Sequence, residues 1–169
     1  MKKIIIIVGC VVILGVGYWL ISPFFIDKRV SESLPTQNNV VQNSELELVG
    51  GVRVENKVTE VASIQEIGVG TFTGFDKIHT GSGTARVITV GEKSYIRFDE
   101  DFQVNNGPDL YVGLGENGEY TKGSELGKLK GNIGSQNYEL PAGMDPKSVK
   151  EVWVWCKAFS VPFTKAVFQ

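Results

Sequence analysis

Residues 151–168 read EVWVWCKAFSVPFTKAVF. In an extended chain Val152, Val154 and Cys156 point to one face, and Trp153 and Trp155 to the other. Both sets are apolar. A strand with two apolar faces belongs in the middle of a sheet, covered on both sides. A second strand is expected at 161–168, after a short break. The C-terminal part of the chain is therefore predicted to be β-structure with a sizeable core.

Upstream, the same texture continues. TARVITV at 84–90 is a strand, and Gly91-Glu92-Lys93 turns it into SYIRF at 94–98, so the two form a hairpin. Asn105-Asn106-Gly107-Pro108 is a strong turn that leads into a strand at 110–114. A polar loop follows at 115–123. Short strands are expected at 126–129 and 137–140, the latter closed by Pro141. No segment here has an amphipathic helical period. Many short strands and 20 glycines predict an all-β domain over 69–168, an antiparallel β-sandwich or barrel-like unit.

The N-terminal third has a different character. Residues 4–26 contain no charged side chain, a run long enough to cross ~30 Å of hydrocarbon as a helix. Tyr18, Trp19, Phe24 and Phe25 lie toward its C-terminal end, where an aromatic belt sits. The run exceeds a usual signal-peptide core, and no A-x-A-like site follows it, so residues 1–26 are expected to stay attached as an anchor. Cys10 is then a small apolar helix residue. The short basic N-terminus favours a single-pass protein of the cell membrane with its C-terminal domain outside the cytoplasm. Residues 27–68 read as a stalk and lead-in. The first part is polar and broken, with Pro35 and several Asn and Gln. Around Gly50-Gly51 a small hairpin competes with a helical spacing of Val54, Val58, Val61 and Ile64.

Charge excludes one class of partner. With 17 Lys and Arg against 19 Asp and Glu, the chain lacks the basic excess of a nucleic-acid binder.

Few side chains outside the anchor carry chemistry. Cys156 is the only cysteine there, so it has no partner for a disulfide within its own domain. Free cysteine is among the most buried residue types, and an apolar site makes it inert. Lys157 follows it but faces the other way on a strand. His79, the only histidine, sits before Gly81 and Gly83 on a loop; an axial ligand, a base and a surface side chain are all open to it. One His and one Cys fall short of a zinc site, and the absence of C-x-x-C-H excludes covalent c-type haem. Met144 is a soft side chain on a loop. Asp99, Glu100, Asp101 and Asp109 cluster along the chain without an EF-hand pattern and read as solvated turns. A Cys–His pair lacks a third, orienting group, so a catalytic triad finds little support.

The order of short motifs resembles the DM13 domain family. The matching pieces are Gly70-Thr71-Phe72, HTGSGTA at 79–85, Phe98 through Phe102, GPDLYV at 107–112, LGKLKG at 126–131, GSQNY at 134–138, and Val152-Trp153-Val154-Trp155-Cys156 with Phe159 and Phe163. The resemblance implies a β-rich extracytoplasmic module with a redox or electron-transfer role. It assigns that role to Cys156, as a bare thiol or as a ligand of a bound group such as haem, with His79 as a second candidate ligand. It also implies a redox partner or a partner protein of the cell envelope. The competing expectation is a non-catalytic envelope domain that binds a glycan, a small ligand or a protein, with Tyr111, Tyr120 and Tyr138 as stacking surfaces.

Overall fold

The computed structural model describes residues 26–35 and 63–169, with four isolated helical positions, Gly9, Val12, Gly15 and Val16. The expected anchor over 4–26 and the competing hairpin and helix readings before Ile64 therefore lie almost wholly outside the described residues. Among the described residues, no helix is long and apolar enough to cross a membrane.

Eleven strands are described: β1 Ile64–Gly74, β2 Gly81–Ser82, β3 Thr84–Val90, β4 Lys93–Phe98, β5 Gln103–Val104, β6 Leu110–Glu116, β7 Glu119–Tyr120, β8 Gly127–Lys128, β9 Gln136–Glu139, β10 Glu151–Cys156 and β11 Val161–Val167. Nine of them form one sheet in the order β7-β6-β10-β11-β1-β3-β4-β9, with β8 also on β6; β2 and β5 pair separately. The fold is thus an all-β, antiparallel, curled sheet, a half-barrel. The expected barrel-like domain is present, formed by one sheet that curls on itself.

The curl closes around aromatic rings. Phe72, Phe98 and Phe102 meet pairwise with centroids 4.5 to 4.9 Å apart, and Tyr138 adds a contact to Phe98 at 5.3 Å. Phe98 and Phe102 are fully buried. Tilted and edge-on ring pairs of this kind add to the value of their burial. Val87, Ile96, Val112, Val152 and Val154 complete the same core. They come from alternate positions of neighbouring strands, as the period of two requires.

Polar side chains close the gap between β8 and β9. Gln136 has no solvent exposure. Its amide nitrogen donates to the Gly131 carbonyl at 2.8 Å, and its oxygen accepts from the Gly131 N–H at 3.2 Å and from the Tyr138 hydroxyl at 2.7 Å. Every polar atom of this buried pair has a partner, which makes the network rigid rather than costly.

Residues 27–35, expected to begin a flexible stalk, run extended along this closure. The Val30 and Glu32 N–H groups each donate at 2.9 Å, to the carbonyls of Ile133 and Ser135. Glu32 accepts from Lys130 Nζ at 2.8 Å and from the Asn137 N–H at 2.8 Å. The segment has no apolar alternation because its attachment is mainly through hydrogen bonds, which leave no periodic trace in sequence. β1 also begins before the expected domain start at 69. Its first residues are exposed, and a register shift between Glu66 and Gly68 interrupts the alternation.

Truncating a central ring measures the core: Phe98→Ala should lower unfolding free energy by roughly 3–5 kcal/mol in denaturant titration. The strap should respond to pH. Burial pushes the Glu32 carboxyl up, but the bonds from Lys130 and Asn137 outweigh it and hold the group below its ordinary 4.5. The strap's attachment is therefore complete above 4.5 and weakens as pH falls through the lowered value. Exchange protection at the Val30 and Glu32 amides should drop in acid, and Glu32→Gln should flatten that pH dependence.

Candidate functional site

Cys156 ends β10, opposite Leu110 of β6 on one side and Val161 of β11 on the other. Alternation turns it inward with Val152 and Val154, and it is 1% exposed. It is a free thiol in the core cluster that also holds Leu110 and Phe163.

The ladder beside the thiol is irregular. Val154 faces Thr164, but Trp155 faces Pro162, so Phe163 is the extra residue of a bulge. Pro162 has no N–H to give the ladder, which is why proline tolerates a bulge and interrupts a regular strand. Phe163 and Thr164 are consequently both buried. Ser160, in the turn that follows the thiol, adopts a left-handed φ of 54°. The strand end carrying Cys156 is therefore the less regular end of the β10–β11 hairpin.

His79 lies on the loop after β1. Its Nδ1 bonds Asp76 Oδ2 at 2.7 Å, and its ring meets Phe163 edge-on at 4.8 Å. The Asp76 carboxylate accepts that side-chain bond and two more from the backbone N–H groups of His79 and Ile78, which together hold it down to about 2. His79 is thus tied to a carboxylate at the rim. Its ring reaches the core through Phe163 and is hydrogen-bonded to Asp76.

These placements bear on a haem. The thiol is packed among aliphatic and aromatic side chains. Open cavities of about 420 to 830 Å³ are lined by described residues, and none of them includes Cys156 or His79. Cys156 is 1% exposed and lines none of these cavities, so the closed fold leaves no open space beside the thiol for a haem. Met144 packs partly buried against the core. The acidic cluster is divided among separate partners: Asp99 pairs with Arg86 at 2.7 Å, Asp101 accepts from the Thr84 N–H at 3.0 Å, and Asp109 pairs with Lys128 at 3.3 Å. Among the described residues, no group of three or more His, Cys, Asp or Glu is placed to hold a metal.

The outer face of the same strands, where alternation placed Trp153 and Trp155, holds an aromatic layer that also takes in Tyr120 and Phe75. Trp153 and Trp155 stand opposite Gly113 and Tyr111 of β6. Tyr120 stacks on Trp155 with centroids 4.7 Å apart and planes 10° from parallel, and Phe75 lies 5.1 Å from Trp153. Tyr120 and Trp153 approach β6 closely because it has glycine beneath them. A Cβ at Gly113 would stand 2.7 Å from Tyr120, and one at Gly115 would collide with the Trp153 indole nitrogen. That nitrogen donates to buried Glu151 at 2.8 Å. The Tyr120 hydroxyl is buried without a hydrogen-bond partner among the described residues. Two glycines on one face of LYVGLGE, beside two tryptophans on the neighbouring strand, are the available sequence signal. Tyr138, one of the expected stacking surfaces, is instead a core residue at 3% exposure. Tyr111 is covered by Lys157, whose Nζ sits 5.0 Å above its ring.

The family model for DM13, described as an electron transfer domain, matches residues 72–168. The chain belongs to the DM13 family. No curated protein and no solved structure matches it.

The glycine-floored aromatic layer makes a direct prediction. Gly115→Ala should displace the Trp153 ring and destabilise the domain by roughly 1–3 kcal/mol, as overpacking does. A change in near-ultraviolet circular dichroism with unchanged strand content would report it.

Proposed function

We propose that this DM13 domain is a membrane-tethered, extracytoplasmic redox module whose reactive group is the bare Cys156 thiol, uncovered by local opening. The observation that carries the reading is the position of Cys156. It is buried, yet it is the last residue of β10, beside the bulge at Phe163 and next to the turn. Regions with interrupted ladders open at a lower free energy than the core strands, so the hairpin end is the natural route to the thiol.

The chemistry is thiol–disulfide exchange with an envelope partner. Once exposed and deprotonated, the Cys156 sulfur attacks a partner disulfide. One S–S bond breaks, a mixed disulfide forms, and the displaced partner thiolate takes a proton from solvent. Attack by a second partner thiol then releases Cys156. The closed state protects the thiol from oxidants when no partner is present. A haem role is set aside for lack of space at Cys156.

Tethering is supported by the uncharged run over 4–26, and the extracytoplasmic side by the basic N-terminus. A non-catalytic binding module is the second reading, favoured by the Tyr120–Trp155 stack and the partial exposure of Trp155. Flat aromatic surfaces of that kind suit sugar rings or another protein.

Replacement of the thiol separates the two. Cys156→Ala removes the sulfur without adding a polar group, at a cost of about 1–2 kcal/mol for a small core truncation. The redox reading predicts that the folded variant loses mixed-disulfide formation with oxidised glutathione and with disulfide-bearing membrane partners. Exchange that persists in the folded variant, or a wild-type protein that never exchanges, would remove Cys156 from the function and leave the binding module.

A further inference from the structure

Among the described residues, the three most exposed large apolar side chains are Ile78 at 72%, Phe159 at 67% and Ile26 at 59%. They belong to three separate segments: the loop after β1, the turn between β10 and β11, and the start of the docked strap. A single exposed apolar side chain needs no explanation. Three at one end of a domain do.

The loop over 105–109 binds these segments to one another. Asn105 Nδ2 donates to the Ile78 carbonyl at 2.6 Å. The neighbouring Asn106 Nδ2 donates to Asp27 Oδ1, beside Ile26, at 3.0 Å. The Lys157 N–H, two residues from Phe159, donates to the Asp109 carbonyl at 2.9 Å. Strand register places them together as well. The end of β1 lies opposite Thr164, and the end of β10 lies between the starts of β6 and β11. All three tips therefore stand on the rim at one end of the curled sheet. Lys77 flanks Ile78 and Lys157 leads to Phe159, both exposed. The nearby carboxylates are committed: Asp76 to His79, Asp109 to Lys128, and Glu125 to Lys157, whose Nζ stands 3.7 Å away.

The geometry points to this rim as the face that the domain lays on a phospholipid bilayer, with Ile78 and Phe159 in the boundary between headgroups and acyl chains. This inference rests on the tethering reading above and adds which end of the domain meets lipid. Ile26 is the last residue of the uncharged run, and the very next residues are already fastened to the domain. Asp27 Oδ1 also accepts from Asn132 Nδ2 at 2.8 Å, and the Lys28 N–H donates to Asn132 Oδ1 at 2.6 Å. Each residue spans at most about 3.6 Å, so a helix that leaves the bilayer at Ile26 holds this rim at the lipid surface. The chain has no slack there with which to lift the domain away. An apolar tip flanked by exposed Lys77 suits that boundary, because a lysine stem can lie along apolar surface while its charge reaches phosphate. Turns at the opposite end, Gly91-Glu92 and Asn117-Gly118, are exposed and polar.

Lipid photo-crosslinking tests the orientation on the native full-length chain. The protein is reconstituted in phosphatidylcholine–phosphatidylglycerol vesicles doped with a phospholipid that carries a diazirine close to its glycerol. After irradiation, peptides are mapped by mass spectrometry. The expected result is lipid adducts on 4–26 and on the peptides that contain Ile78 and Phe159, with none on 91–93 or 117–119. Ile78→Ser combined with Phe159→Ser should lose the rim adducts and keep those on 4–26. Both positions are exposed, so the fold should tolerate the change. Adducts confined to 4–26, or found on the far turns, would overturn the orientation while the tether stands. No adducts on 4–26 would defeat the tether itself, and the orientation with it.

Discussion

The packing of Phe72, Phe98 and Phe102 inside one curled sheet is the interaction on which the rest of the structure depends. These rings come from β1, from the end of β4 and from the loop after it. Burying them requires the sheet to bend around them. Bending brings β8 and β9 to opposite sides of a gap that no strand among the described residues fills. Gln136, Tyr138 and the carbonyl and N–H of Gly131 close that gap with hydrogen bonds, and the strap over 27–35 covers it. A dry aromatic core and a satisfied polar seam are thus two consequences of the same curvature.

The same curvature decides what Cys156 can be. On a flat sheet, one face of β10 would meet solvent. Here its inner face lines the closed side, and its outer face is covered by the tryptophan layer over Gly113 and Gly115. The thiol is sheltered as a core residue is, yet it stands where β10 ends and β11 is bulged at Phe163. Burial and nearness to an irregular strand end are opposing influences. The first suppresses reactivity, and the second supplies a low-energy way to relieve it. A thiol in the middle of β10 would have only the first.

Much of the fold was legible because its signals are local. The inward positions Val87, Ile96, Val112 and Val154 keep the two-residue period of their strands, and the inward direction of Cys156 follows from its neighbours. Other elements left weaker traces. β2, β5 and β7 have two residues each, too few to show a period. Asn117-Gly118, with φ of 56° and 84°, closes a tight hairpin within what read as a loop; an Asn-Gly pair was the available sign. The strap was illegible because it is attached by backbone and charged groups. The site divided in the same way. Strand alternation identified Cys156 as buried, but His79's bond to Asp76 and the glycine floor under Trp153 depend on contacts between distant segments. Tyr138 read as a stacking surface because it is aromatic, whereas its ring is in the core and Gln136 and Lys130 satisfy its hydroxyl inside the molecule.

The central claim is that Cys156 is closed in the native fold and reached by local opening at the end of the β10–β11 hairpin. The most direct measurement is the rate at which a soluble disulfide reagent modifies Cys156 in the full-length protein, followed at the Cys156 peptide by mass spectrometry as denaturant is raised from zero. Local opening predicts slow labelling that is nearly independent of denaturant until global unfolding takes over, with a small initial slope. Labelling that rises from the first addition with the full slope of global unfolding would contradict the account, since the thiol would then be reached only by unfolding the domain.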